Sequence, residues 1–312
     1  MTKLDMKNVD VWLGAWPAVE KNTIEVDTDT VSDQAVTLGV VMPAHQSEST
    51  LRESVNSVLA SLGANDVLVI IENASKDNTY EIARELAKGD ARIVVLQSDI
   101  PDAANARNMG VDYLKTDLVS FCDSDDTWDA EKVSIVKRIS ARYDSDIIIH
   151  PLRTSPSCGG VEGHAFLQKQ LPNSNSLLQD LVVYGSFFAT SSVTIKRKVM
   201  AASFFQNGLT HCQDYEAWCC LARRHPNAKF AYIDRALGYY LKHNGLSKNF
   251  GKRHFNHLSI VMKYSESLPA FVRYKAFMRN ITRFFFYAFK EGKLFWGLSA
   301  ILNKKNYTKI RP

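Results

Sequence analysis

The sequence predicts an α/β fold in which a mostly parallel sheet is flanked by helices and followed by a helical C-terminal extension. Over residues 37–150, short strands rich in Val, Ile and Leu alternate with helical segments of roughly 10–15 residues, which is typical of βαβ units. One strand, residues 118–122, is apolar enough to be buried on both faces and runs directly into Asp123, Asp125 and Asp126. From residue 250 onward the pattern changes to helices rich in aromatic and basic residues.

The composition is that of a globular protein with one large core or two modest ones, with 312 residues, 46% hydrophobic and 23% charged. Its five cysteines form no CxxC pair, and no secretory signal precedes them, so we expect free thiols in the cytoplasm. No apolar run reaches the roughly 18–20 residues that span a bilayer.

The net charge of +5 is unevenly distributed. Residues 248–312 contain 14 Lys or Arg against two Glu, about +12, whereas the preceding 247 residues have 24 basic and 31 acidic groups, about −7. Aromatic residues are interspersed among the cations of the tail, as in residues 283–290 and 294–296. This pattern predicts peripheral contact with an anionic membrane surface, the alternative being a helical subdomain with its aromatics packed inward. No nucleic-acid-binding module accompanies the cations, so nucleic acid is not an expected partner.

The first half of the chain supplies the elements of the sheet in order. Residues 1–36 are polar and acidic and are expected to form an extension outside the sheet. Strands are predicted at 37–42, 66–71, 93–96 and 118–122. The helices between them are predicted at 48–62, from Asp77 as N-cap to 87, and around residues 105–108.

The second half is less regular. After residues 146–150, a stretch rich in Ser, Gly and Pro at 154–163 is expected to loop out. The remaining predictions are a strand at 191–195, an amphipathic helix at 213–224 and two strands at 230–233 and 237–241.

Asp123, Asp125 and Asp126 carry the strongest chemical signal. Like charges a few ångströms apart repel, and a Mg²⁺ or Mn²⁺ ion with carboxylate ligands removes that cost. In an open α/β sheet, ligands bind beyond the carboxyl ends of the strands, where these acids lie. The alternative is a solvated turn that caps a helix over residues 130–143.

The order of motifs resembles that of inverting family 2 glycosyltransferases with the GT-A fold, over about residues 37–247. The opening strand and turn correspond to VVMPAHQ, the acidic nucleotide loop to residues 72–77, and the Ala-Arg-Asn signature to residues 106–108. The metal motif corresponds to residues 123–126, and the pair with the catalytic base to Gln213-Asp214. The resemblance implies three regions: an N-terminal extension (1–36), a GT-A domain (37–247) and a basic, aromatic-rich helical region (248–312).

The resemblance also implies roles for individual residues. Asp214 is the expected general base, and the expected metal ligands are Asp125 and His243, with Mn²⁺ or Mg²⁺ as the cofactor. The expected nucleotide-binding residues are Pro43, His45, Glu72, Asn73, Arg107 and Asp123. Asn73 replaces the usual Asp at the base edge, and Gln213 replaces the usual Glu beside the base.

The implied function is metal-dependent, inverting transfer of a sugar from a nucleotide donor, with UDP as the default, to a saccharide or lipid-linked acceptor. The implied setting is surface polysaccharide or glycolipid assembly, in the cytoplasm or on the inner face of the cell membrane. One alternative is a haloacid-dehalogenase-like phosphatase with Asp123 as nucleophile, although that family places its motif on the first strand of the domain and here three strands precede it. Another is a non-catalytic module that binds sugar nucleotides.

Overall fold

The computed structural model describes residues 8–15, 20–25, 36–154, 176–187, 189–240 and 250–290. The chain forms two compact units. The first consists of Met1–Lys169, Phe188–Asn207 and Asn227–Lys242, and the second of Gln170–Phe187, Gly208–Pro226 and His243–Pro312.

The first unit contains a nine-stranded sheet and a three-stranded sheet. Its strands are β1 (Asn8–Ala15), β2 (Glu20–Glu25), β3 (Leu38–Ala44), β4 (Val67–Asn73), β5 (Ile93–Ser98), β6 (Leu118–Phe121), β7 (Thr127–Trp128), β8 (Ile147–Ile149), β9 (Arg153–Thr154), β10 (Val193–Lys196), β11 (Lys229–Ile233) and β12 (Gly238–Tyr240). The large sheet has the order β2-β1-β11-β8-β10-β6-β3-β4-β5, and the small sheet has the order β7-β12-β9. Strands β6, β3, β4 and β5 are parallel, whereas β10 is antiparallel to both of its neighbours.

Helices connect the parallel strands and bury the sheet. They are α1 (Leu51–Ser61), α2 (Thr79–Gly89), α3 (Ala103–Tyr113) and α4 (Lys132–Tyr143). All residues of β3 and β6 are buried, which agrees with the continuous apolar runs in their sequences. Helix α3 packs so closely on the sheet that a Cβ atom at Gly110 would lie 2.6 Å from Val41 and 2.7 Å from Ile71. The α/β fold with a mostly parallel core is therefore confirmed.

The N-terminal strands differ from the prediction. Strand β1 pairs with β11 and with β2, so the expectation that residues 1–36 lie outside the sheet is wrong for these two strands. The physical reason is that β11 would otherwise end the sheet with a row of unpaired backbone N–H and C=O groups. The antiparallel hairpin of β1 and β2 supplies hydrogen-bond partners for the backbone groups of β11.

Within the described residues, the second unit is helical. It contains α5 (Leu177–Tyr184), α6 (Gln213–Arg224), α7 (Phe250–Ser265) and α8 (Ala270–Lys290). Helix α5 packs against the other three, and α7 packs against α6 and α8. The predicted helix at 213–224 and the predicted helical region after residue 250 are confirmed for the described part of the chain. Among the described helices, none combines the length and apolarity that crossing a bilayer requires.

Three parts of the prediction fall where the structure gives no description, among them the aromatic and basic segment at residues 294–296. The loop expected at 154–163 is described only at its first residue, and His243 also lies outside the described residues. The three predicted regions, with boundaries after residues 36 and 247, stay predictions.

Candidate functional site

The candidate site lies at the carboxyl ends of β3, β4 and β6 in the first unit. These strands are neighbours and run parallel, so their carboxyl ends share one edge of the sheet. The structure thereby brings to this edge the predicted nucleotide-binding residues and one predicted metal ligand, namely Pro43, His45, Glu72, Asn73, Arg107, Asp123 and Asp125.

The loops after β3 and β4 are hydrogen-bonded to each other. The His45 ring N–H at Nδ1 donates to the carbonyl oxygen of Asn73 at 2.7 Å, and the Gln46 backbone N–H donates to Ser75 Oγ at 3.1 Å. Gln46 and Ala74 both have positive φ angles, 54° and 53°, which non-glycine residues rarely adopt. Such backbone persists only where surrounding contacts enforce it, and it occurs often at binding sites.

Asn73 presents an unusual polar group at this edge. The residue is buried, and its Oδ1 atom has no hydrogen-bond partner among the described residues. Because a buried acceptor without a partner costs free energy, an atom of this kind points to a ligand that donates a hydrogen bond.

Glu72 supports the loop that carries Asn73. Its carboxylate is buried and accepts hydrogen bonds from the Ser75 backbone N–H at 2.6 Å and from Gln97 Nε2 at 3.4 Å. The Glu72 carboxylate therefore fixes the turn that follows Asn73.

Arg107 connects helix α3 to the acidic loop. Its Nη2 donates to Asp123 Oδ1 at 2.6 Å, and its guanidinium carbon lies 5.5 Å from the centre of the Phe205 ring. Asn108, the next residue, holds the Phe205 segment by donating to its carbonyl at 2.8 Å and accepting from its backbone N–H at 2.9 Å. The Ala-Arg-Asn sequence thus positions one carboxylate of the acidic loop and one aromatic ring.

Ser124 ties the acidic loop to the segment after β3. The hydroxyl groups of Ser124 and Ser47 are hydrogen-bonded at 2.7 Å, and Ser54 of α1 donates to the Ser124 carbonyl at 2.9 Å. The acidic loop is therefore fixed on the α1 side by two serines.

Ser191, which the sequence did not single out, fixes the same loop from the other side. Its fully buried hydroxyl donates to Asp126 Oδ2 at 2.5 Å and accepts from the Asp123 backbone N–H at 3.0 Å. Its carbonyl oxygen accepts from Lys132 Nζ at 2.7 Å and from Trp128 Nε1 at 3.2 Å. Ser191 is thus hydrogen-bonded to both ends of the acidic loop.

Lys132 is a buried amine behind that loop. Its Nζ lies 3.4 Å from the centre of the Trp128 ring. Burial lowers the pKa of Lys132 to about 7, against the opposing effect of Cys122, Asp126 and Asp129. The side chain therefore links α4 to the Ser191 turn, and its removal from water disfavours the charged form of the amine.

The arrangement of the acids decides how a metal could bind. Asp123 is paired with Arg107, and Asp126 is buried against Ser191. Asp125 is partly exposed, and within the described residues no group of three or more His, Cys, Asp or Glu side chains could hold a metal ion. Mg²⁺ needs only one or two carboxylates when substrate phosphates and water supply its other ligands. The residues fit a cation that is held jointly by Asp125 and a bound diphosphate.

Asp214 lies in the second unit, in the first turn of α6. The preceding residue, Gln213, donates from Nε2 to the Leu209 carbonyl at 2.5 Å, and Cys212 adopts a positive φ of 61°. Glu216, in the same first turn, is buried and accepts from the Tyr264 hydroxyl at 2.5 Å. These contacts fix the start of α6, while the role of Asp214 as a base stays a prediction.

Comparison with known proteins identifies the part of the chain that contains the acidic loop. The model of the family described as "Glycosyl transferase family 2" matches residues 39–201, just over half of the chain. The match covers the acidic loop, Arg107 and Ser191, and it ends before Asp214.

Two curated relatives illustrate the similarity. The amylovoran biosynthesis glycosyltransferase AmsB of Erwinia amylovora is 24% identical over 230 residues, which are 70% of this chain and 73% of AmsB. The Escherichia coli UDP-Glc:α-D-GlcNAc-diphosphoundecaprenol β-1,3-glucosyltransferase WfgD is 34% identical over 99 residues, 31% of this chain and 38% of WfgD.

Among other relatives, the matched part is shorter. Glycosyltransferase GlyA of Streptococcus pneumoniae is 27% identical over 110 residues, which are 35% of this chain and only 16% of GlyA. The chain thus spans well under two thirds of the length of WfgD and of GlyA.

Solved structures show the same fold. Residues 1–349 of TarS from S. aureus, in complex with UDP-GlcNAc, superpose with a TM-score of 0.63 at 17% identity, covering 80% of this chain and 72% of that one. The GT-A fold that the motifs imply is confirmed.

Proposed function

The chain belongs to glycosyl transferase family 2, and from this premise we propose that it transfers a sugar from a nucleoside diphosphate to an acceptor hydroxyl with inversion of the anomeric carbon. The observation that carries the proposal is the joint presence of Asn73, Arg107 and the acidic loop at one edge of the sheet. This edge offers a contact for a base, a cation near a nucleotide and a carboxylate for a diphosphate-bound metal.

The nucleobase we propose is uracil. A uracil ring has a single N–H donor flanked by two carbonyl acceptors, and the buried Oδ1 of Asn73 is an acceptor that suits such a donor. The side-chain NH₂ of Asn73 can donate to a neighbouring carbonyl of the same ring. A UDP-sugar donor is also in keeping with the UDP-GlcNAc bound to TarS.

The proposed cofactor is Mn²⁺ or Mg²⁺, because enzymes of this family generally use a divalent metal ion. Asp125 would hold it together with the oxygens of the diphosphate, and His243 is proposed as a further ligand. When bound, such an ion neutralises charge that develops on the departing diphosphate. Pro43 and His45 border the nucleotide, and Arg107 keeps Asp123 oriented beside it.

Asp214 is proposed as the general base that removes the proton of the acceptor hydroxyl. Attack by that oxygen on the face opposite the diphosphate inverts the anomeric carbon in one displacement and needs no covalent enzyme intermediate. The support is its place in the Gln213-Asp214 motif and its position in the first turn of α6. A helix N-terminus stabilises a carboxylate there.

The proposed acceptor is a saccharide on a lipid carrier, in surface polysaccharide assembly. WfgD is named for transfer to GlcNAc-diphosphoundecaprenol and AmsB for amylovoran biosynthesis, and both resemble this chain. The proposed location is the cytoplasm, peripheral on the inner face of the membrane, where a nucleotide-sugar donor and a lipid-linked acceptor meet.

Two other functions are weighed against this proposal. The family match covers Asp123, which favours a donor-binding role for that residue over the role of a phosphatase nucleophile. Its pairing with Arg107 at 2.6 Å also occupies one of its carboxylate oxygens. The match to a family of transferases disfavours a non-catalytic module that binds sugar nucleotides, which would bind UDP but transfer no sugar.

The experiment that tests donor binding is calorimetry with UDP, GDP, CDP and ADP in the presence of Mn²⁺. We expect UDP to bind most tightly and Asn73→Ala to reduce the preference for UDP by roughly tenfold, the effect of about 1.4 kcal/mol. Asn78→Ala, in the same loop but exposed, is the matched control and should keep the preference. Absence of binding by all four nucleotides would contradict the proposed function, and an unchanged preference in Asn73→Ala would remove Asn73 from the base site.

A further inference from the structure

Helix α8 of the second unit has apolar side chains on two opposite faces. Its inner face packs against α5 and α7 and consists of Val272, Ala276, Asn280, Phe284 and Ala288, all buried. The opposite face, here called the outer stripe, consists of Phe271 (76% exposed), Tyr274 (63%), Met278 (39%), Phe286 (64%) and Phe289 (75%). At 3.6 residues per turn, the outer stripe occupies roughly one third of the helix circumference.

A row of cations borders the outer stripe. Lys275, Arg279 and Arg283 follow at intervals of four residues, so they lie one above the other along the helix. All three contact Tyr184 at the end of α5. Lys275 Nζ donates to its hydroxyl at 3.4 Å, the Arg279 guanidinium lies 4.9 Å from its ring centre, and Arg283 Nη1 donates to its carbonyl at 3.3 Å. These contacts hold the cationic row beside the outer stripe.

The charge of α8 is entirely of one sign. Its 21 residues, AFVRYKAFMRNITRFFFYAFK, include five Arg or Lys and no acidic residue. An ordinary solvent-facing helix surface carries polar side chains of both signs, whereas aromatic residues beside cations on an amphipathic helix are typical of helices that lie in a membrane interface.

Charge complementarity selects the occupant of this surface. In a two-fold dimer built on the outer stripe, each copy contributes the same patch, so two cationic rows would approach each other with no acid on α8 to balance them. Anionic lipid headgroups supply the opposite charge over the whole length of the row. Aromatic rings can at the same time enter the boundary between headgroups and acyl chains.

We propose that the outer stripe and the cationic row of α8 form a docking surface for a bilayer of anionic phospholipid. The aromatic side chains insert at the headgroup boundary, and the cations contact the lipid phosphates. The proposal adds a membrane surface to the proposed function. It rests on that function only where the function assumes a lipid-linked acceptor. Vesicle binding is measured without donor or acceptor, so its failure is distinct from a failure of sugar transfer.

The test is flotation of the 312-residue chain with vesicles of phosphatidylcholine alone or mixed with phosphatidylglycerol. We expect binding to the mixed vesicles that weakens as salt rises, because exposed charges are screened. Each nearby Lys or Arg contributes about 1 kcal/mol, so Lys275→Gln/Arg279→Gln should lower the partition coefficient by roughly 20–30-fold. Phe271→Ser/Phe289→Ser should lower it for both vesicle types, since it removes the inserted rings.

Matched controls remove equivalent groups from the first unit. Lys88→Gln/Lys115→Gln deletes two exposed cations there, and Tyr113→Ser deletes an exposed aromatic ring. Both controls should bind within about twofold of the unmodified chain, because they leave the outer stripe and the cationic row of α8 intact. Equal losses in control and α8 variants would overturn the proposal, and so would no binding to anionic vesicles at low salt. A concentration-dependent dimer that Phe271→Ser/Phe289→Ser abolishes, without vesicle binding, would assign the surface to a second copy instead.

Discussion

Replacing Ser191 by alanine tests whether the acidic loop is held as the contacts indicate. The Ser191 hydroxyl donates to a buried carboxylate, Asp126, and accepts from the Asp123 backbone N–H. A hydrogen bond to a charged group contributes roughly 1.5–3 kcal/mol, and a buried N–H that loses its acceptor costs about 1–3 kcal/mol. Allowing for partial relaxation, we expect Ser191→Ala to lower the free energy of unfolding by about 3 kcal/mol.

Ser192→Ala is the matched control for this prediction. Ser192 is also buried and lies in the same turn, Thr190–Ser192, but its hydroxyl makes a local hydrogen bond to the neutral carbonyl of Ala189 at 2.7 Å. A neutral hydrogen bond contributes about 1 kcal/mol, so this variant should lose only that amount.

The assay is urea unfolding of the full chain, followed by a donor titration on the folded variants. Beyond the loss of stability, Ser191→Ala should weaken UDP binding by roughly tenfold, or about 1.4 kcal/mol, because the loop that carries Asp123 and Asp125 is then held from the α1 side alone. Ser192→Ala should bind UDP like the unmodified chain. Equal effects of the two substitutions on both stability and UDP affinity would refute the positioning role of Ser191.

Two further predictions concern charged groups of the first unit. Asp125→Ala should abolish sugar transfer together with metal-dependent diphosphate binding, because it removes the partly exposed carboxylate that is proposed to hold the metal. Turnover that persists in excess chelator would refute metal dependence. Burial lowers the pKa of Lys132 from 10.5 to about 7. Between these pH values the unfolded chain binds a proton that the folded chain lacks, so the free energy of unfolding rises with pH. Relative to Lys132→Met, the unmodified chain should gain about 1.4 kcal/mol per pH unit over this window in urea unfolding, and a pH-independent difference would contradict that.

Local patterns were sufficient for the elements whose signals are contiguous. Helix α6 occupies the predicted residues 213–224 because its apolar positions recur at helical spacing from end to end. Helix α2 begins at Thr79 with Asn78 as its N-cap, one residue after the predicted cap Asp77, whose Oδ1 accepts from the Thr79 N–H at 3.1 Å. The site residues at the ends of β3, β4 and β6 were predictable because parallel neighbours end at one edge.

Contacts between distant segments could not be predicted in the same way. In β1, Val9, Val11 and Leu13 alternate with other residues, which is a weak strand signal, but nothing local indicates that β11 is the partner. Likewise, Ser191 reaches Asp123 only because β10 pairs with β6, two strands that are far apart in sequence. By sequence, Asp126 is an ordinary candidate for a helix N-cap. In the structure α4 begins only at Lys132, and the Asp126 carboxylate accepts a hydrogen bond from Ser191.

Asp214→Asn separates the proposed base catalysis from donor binding. The substitution keeps the size of the side chain but removes its capacity to accept the acceptor proton, and loss of a positioned general base costs roughly 10²–10⁴-fold in rate. Donor affinity should stay within about twofold, because the proposed diphosphate and base contacts belong to Asp125 and Asn73. Gln213→Ala is the neighbouring control and should retain far more activity.

The measurement pairs calorimetry of UDP-sugar binding with the rate of UDP release in the presence of a lipid-linked saccharide. We expect normal donor binding and a rate reduced by at least about 100-fold in Asp214→Asn. Near-normal transfer by this variant, or loss of donor binding with it, would contradict the assignment of Asp214 as the base.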